Sequence, residues 1–88
     1  MPDEPMLRGQ AREAIKTGRM PARSADRTWG GPGVGALCSV CNLPVRHSVM
    51  EMQIEFGRAG EPTGIETYHV HVRCFAAWEF EREKVPSR

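Results

Sequence analysis

Two short motifs hold the residues of this 88-residue chain whose types and spacing could do chemistry: Cys38-Ser39-Val40-Cys41 and His71-Val72-Arg73-Cys74. A Cys-x-x-Cys knuckle is a tight turn that aims two thiolates at one point. The His-x-x-Cys pair follows after 29 intervening residues. At the start of a helix, positions i and i+3 share a face, so His71 and Cys74 can meet the knuckle from the other side. Three thiolates and one imidazole complete a tetrahedron around a single Zn²⁺. With all four positions filled by protein side chains, the expected site is the closed, structural kind and not the open, catalytic kind.

Other readings of the same residues compete. A lone Cys-x-x-Cys can be a redox pair, but that role wants a thioredoxin-like strand-then-helix setting and leaves Cys74 unexplained. Cysteines also serve as small buried hydrophobes, which does not account for two paired spacings. His69 and His47 are rivals to His71. His69 lies five residues before Cys74 and would have to reach from a strand, and His47 sits just past the knuckle, so spacing favours His71. Either rival could support the ligands from behind. No nucleophile triad, acid–base pair or cofactor fingerprint accompanies the motifs, and Gly30 to Gly35 lacks the Lys-Ser/Thr of a phosphate loop. The expectation is therefore no enzymatic activity.

The elements that must position these ligands can be read from periodicity. Leu7, Ala11 and Ile15 recur at four-residue steps, predicting a helix over Met6 to Gly18. From Arg19 to Gly35, including Trp29-Gly30-Gly31-Pro32-Gly33-Val34-Gly35, the residues are those of turns, and a connector is expected whose glycines let backbone pass close to the knuckle. Met50, Met52, Ile54 and Phe56 alternate with Glu51, Gln53 and Glu55, the period of a half-buried strand starting at Val49. Gly57, Gly60, Pro62 and Gly64 form a turn cluster, and Ile65 to Val70 completes a hairpin. A last helix is expected over Val72 to Lys84, with Phe75, Trp78 and Arg82 on one side, Ala76 and Phe80 adjoining, and Glu79, Glu81 and Glu83 outward. Pro86 ends it. The predicted fold class is small α+β, with residues 1–36 as N-terminal helix and connector and 37–88 as the zinc domain.

Composition agrees with a small globular domain: 40% hydrophobic, 26% charged, formal net charge +1. Chains this short usually add a metal, disulfides or a partner to a modest core. Three cysteines cannot all pair with one another, which favours metal over a disulfide framework. No stretch approaches the roughly 18 to 20 apolar residues of a membrane span, and the N-terminus lacks the layout of a secretory signal, so the cytoplasm is the expected compartment.

The order of knuckle, hairpin and ligand-bearing helix resembles the treble-clef group of zinc fingers. Within that group, Cys-x-x-Cys, a gap close to thirty, then His-x-x-Cys followed by Phe75 is similar to the PARP-type finger, which senses DNA breaks. The match runs from Leu37 to about Arg82. It implies the ligand set Cys38, Cys41, His71 and Cys74, with Phe75 as the aromatic after the last ligand. Trp29 to Gly35, the knuckle and His71-Val72-Arg73-Cys74-Phe75-Ala76-Ala77-Trp78-Glu79 together also look like small bacterial proteins of uncharacterised function.

Two classes of function follow. A protein-interaction module would use the stapled domain to display Trp29 and Trp78, since Trp and Arg commonly anchor interfaces, and could act in regulation. A nucleic-acid binder would use Arg8, Arg12, Lys16, Arg19, Arg23 and Arg27, set against only Glu13 and Asp26 in that segment. Leu37 to Arg88 holds six basic and seven acidic residues, which argues for the first class. No small-molecule substrate and no membrane is implied.

Overall fold

The computed structural model describes residues 4–57 and 64–84. Its elements are α1 (Glu4–Lys16), β1 (Arg27–Pro32), β2 (Met50–Gly57), β3 (Ile65–His71) and α2 (Val72–Arg82). The three strands form one antiparallel sheet in the order β1-β2-β3. The small α+β class is thus as expected. Gly60 and Pro62 of the expected turn cluster, and Pro86, lie outside the described residues.

The apolar stripe on α1 is Leu7, Ala11 and Ala14, all buried, with Ile15 packed beside them. This i, i+4, i+7 row faces α2. Gly18 ends the turn after the helix with a φ of +85°, which costs other L-residues and suits glycine. In β2 the expected alternation holds for Ile54 and Phe56, which are buried, and for the partly buried Met52. Met50, at the end of the strand, is 55% exposed. Trp78 is fully buried between the sheet and the chain after α1. Phe56 meets its ring edge-on at 6.0 Å, and its Nε1–H donates to the Pro21 carbonyl at 2.8 Å. A side chain of this size contributes on the order of 2–3 kcal/mol by burial, and the hydrogen bond removes the penalty of enclosing its N–H.

Two expectations are corrected. The stretch Arg27–Pro32, expected to be part of an irregular connector, is the edge strand β1, paired from Arg27↔Glu55 to Pro32↔Met50. Five of its six residues are exposed, so it is held through its backbone and carries no buried alternation to read. Helix α2 is also rotated from the expected face. Its buried positions are Cys74, Ala77, Trp78 and Glu81, an i, i+3, i+4, i+7 row, and Phe80 is 46% exposed. Glu81, expected outward, is only 2% exposed. A buried carboxylate is tolerable when cations surround it. Here Arg12 Nε donates to Oε1 at 3.1 Å, and Arg8 Nε and Lys84 Nζ both stand 3.8 Å from Oε2.

Candidate metal centre

The chain between β1 and β2 doubles back on itself to build the knuckle. Gly35 N–H donates to Val45 O, Val45 N–H to Ala36 O, and Cys38 N–H to Leu43 O, at 2.8 to 2.9 Å, with a bridge between Leu37 and Pro44. The two strands of this small loop therefore hold Cys38 and Cys41 at its tip. Asn42 takes the left-handed conformation at φ 63° and its N–H donates to Cys38 O, closing the turn. Val40 N–H points at Cys38 Sγ at 3.4 Å, a donor that stabilises thiolate charge. Gly33 is required lower in the loop. A Cβ there would collide with the carbonyl oxygens of Val45 and Arg46, so only a residue without one permits the approach.

The knuckle is docked on the free edge of β3 by Ser39 N–H donating to His69 O at 3.0 Å. This places it beside His71, the last residue of β3 and the N-cap of α2, in extended conformation (φ −64°, ψ 152°). One turn into α2 comes Cys74. One ligand-bearing atom from each of Cys38, Cys41, His71 and Cys74 lies within 4.8 Å of all the others, and no disulfide joins the cysteines. His71 presents Nδ1, 3.4 Å from Cys41 Sγ and 3.8 Å from Cys74 Sγ. With Zn–S arms of about 2.3 Å and a Zn–N arm of about 2.0 Å, a tetrahedron has S···N edges of about 3.5 Å, between the two observed values. The four residues can hold one metal ion.

Electrostatics favour a cation. Cys38 is held as a thiolate, its pKa lowered to about 4 chiefly by a hydrogen bond from Cys74, against the opposing effect of burial. Cys74 is pushed up, first by that same bond and then by burial and the neighbouring thiolates. Cys41 is raised mainly by burial. Three thiolates this close cannot coexist without a positive ion, and a divalent metal supplies it.

The rival histidines are elsewhere. Residues paired across the ladder share a face, so Glu51, Gln53, His69 and His71 all lie on the sheet side opposite Ile54 and Tyr68. His69 Nδ1 is bound to the Glu51 carboxylate at 3.1 and 3.2 Å, and Gln53 Nε2 donates to the same group at 2.8 Å. Glu51 is fully buried, a position that alternation alone assigned to an outward face. His69 thus buttresses the strand that carries His71. His47 is exposed, next to Gly35, and outside the cluster.

Arg8 and Arg12 are drawn to Glu81. Arg23 donates to Gly57 O at 2.8 Å, pairs with Asp26 and lies over Phe56. Arg27 covers Trp29, which is 38% exposed. Lys16 and Arg19 are exposed. Trp78 is in the core and not at the surface. Four of the six basic residues, Arg8, Arg12, Arg23 and Arg27, thus have partners within the molecule. Sequence reasoning missed Glu51 and Glu81. For Glu81 a signal existed: it extends the spacing of Cys74, Ala77 and Trp78.

Among the described residues no helix is long and apolar enough to cross a membrane. The chain matches no protein-family model, and no curated protein or solved structure shows significant similarity to it. What is established is a small α+β protein with a Cys₃His cluster able to bind a metal ion.

Proposed function

We propose that the protein is a structural-zinc module of the treble-clef kind that mediates protein–protein interaction, with no catalysis at the metal. The observation that carries this reading is the donor set: three cysteines and one histidine, mutually within 4.8 Å, are enough to fill a four-coordinate site, the closed arrangement typical of structural zinc. Zinc is the metal favoured by three thiolates with one imidazole in tetrahedral array. Knuckle, hairpin and helix follow in treble-clef order; the likeness to the PARP-type finger extends to ligand spacing alone. Interaction with protein is favoured over nucleic acid because Arg8, Arg12 and Arg23 are engaged within the molecule, which breaks up the cationic segment.

Cobalt substitution tests the metal reading. Intense thiolate charge-transfer and tetrahedral ligand-field bands, unchanged by added azide or cyanide, are expected; exogenous ligand binding would reopen an enzymatic role. Binding to random duplex and single-stranded DNA and RNA across a salt series tests the second part. A flat, weak response is expected, whereas a steep negative slope of affinity against salt would transfer the function to nucleic acid.

A further inference from the structure

Resting on the interaction-module reading, we propose that the groove between α1 and α2 takes one apolar side chain of a partner protein, whose adjacent carboxylate pairs with Arg73. The groove has a volume of about 290 Å³ and is lined by Leu7 and Arg8 of α1 and by Arg73, Ala76, Ala77 and Phe80 of α2. Its origin is in the sequence. Where α1 packs on α2, the two alanines are too small to fill the space between the helices, while Phe80 and the two arginines raise its walls. Phe80 stays 46% exposed in spite of its size. The volume lies at the lower end for a small-molecule site and suits an inserted side chain.

Charge selects the occupant. The lining holds two guanidinium groups and no acid. Arg8 is already committed, 3.8 Å from Glu81 and 3.9 Å above the Phe80 ring. Arg73 is exposed and has no partner among the described residues. Leu7 is also shared with a neighbouring cleft of about 170 Å³, where Leu43 and Pro44 continue the apolar surface and Arg46 adds a third cation. That cleft is also lined by Cys41, His71 and Cys74, so Arg46 shares it with the candidate metal ligands. Of the two guanidinium groups that line the groove, Arg73 is the one without a partner among the described residues. A carboxylate beside an apolar anchor satisfies both features, and the planar guanidinium can hold it through two hydrogen bonds.

The metal-loaded full chain tests this with a short helical peptide bearing Leu and Phe on one face and Glu on its flanks. Amide shifts are expected at Leu7, Arg73, Ala76 and Phe80. A Gln-for-Glu peptide should bind about tenfold more weakly, and Arg73→Glu should cost the acidic peptide about tenfold while sparing the Gln version. Ala76→Trp, filling the groove from an exposed helix position, should abolish binding of both, and Lys16→Glu should leave them unchanged. Shifts confined to the Trp29 side of the sheet would overturn the groove and leave the module reading standing. So would identical capture of a protein partner by wild type and Ala76→Trp. A DNA duplex displacing the peptide from these residues would overturn the protein occupant, and absence of any peptide binding would overturn the proposal itself.

Discussion

His69 and His71 stand two residues apart on one face of β3, yet their rings have different partners. His71 turns Nδ1 to the thiols of Cys41 and Cys74, while the Nδ1–H of His69 is held by Glu51. Exchanging each for alanine should separate the roles. His71→Ala removes a ligand, so the metal should be lost on native mass measurement. His69→Ala should retain one ion per chain but lower stability by about 1–3 kcal/mol, because the buried Glu51 loses a donor. Metal loss from the His69 variant and retention by the His71 variant would reverse the assignment. Glu81 permits a similar experiment. Glu81→Gln keeps the shape but leaves Arg8, Arg12 and Lys84 without their counter-charge, and a loss of about 1–3 kcal/mol in denaturant melts is expected, with the metal retained.

At the scale of elements, the knuckle depends on the passage of one backbone over another. Gly33→Ala would place a methyl group against the carbonyls of Val45 and Arg46, and those neighbours are main chain that cannot swing aside. A destabilisation of about 1–3 kcal/mol and weaker metal retention under chelator competition are expected, whereas Gly31→Ala, where a Cβ meets nothing, should have a much smaller effect. The same contrast explains what could be read from sequence. Ile54 and Phe56 announced β2, and Leu7 and Ala11 announced α1, because buried side chains leave a period behind. The four ligands were legible for a different reason, since metal geometry fixes their spacing. β1 was not legible: Trp29-Gly30-Gly31-Pro32 pairs through backbone groups and buries almost nothing. The burial of Glu51 and Glu81 also escaped a reading that assigns charge to solvent, because each draws a partner from a distant element, His69 for Glu51 and Arg12, 69 positions away, for Glu81.

For the whole molecule, the metal is expected to be the condition of the fold. Structural zinc in small domains contributes on the order of 10 kcal/mol, more than a core of this size supplies. Chelation at neutral pH should therefore collapse the amide dispersion of β2, β3 and α2; a stripped chain that keeps its spectrum and melting temperature would show the metal to be incidental. Proton release gives an independent check. A folded, metal-free site would hold Cys38 as thiolate and keep Cys41 and Cys74 protonated, so metal entry would expel two protons. An unfolded chain, with ordinary thiol pKa values of about 8.5, would expel about three near pH 7. Three is the expected result in calorimetry across buffers of different ionisation enthalpy, and affinity should weaken as pH falls because protons compete with the metal for the thiolates. The clasp of Arg8 and Arg12 on Glu81 carries a consequence of another kind, for the order in which the chain is made. At about 5–20 residues per second, the 69 positions between Arg12 and Glu81 take the ribosome roughly 3–14 s to synthesise. Throughout that interval α1, made before α2, has neither its counter-charge nor the surface that covers Leu7, Ala11 and Ala14. Made before the helix that covers it, α1 is thus sheltered late, and a nascent chain stalled before Glu81 would leave that stripe open to chaperones.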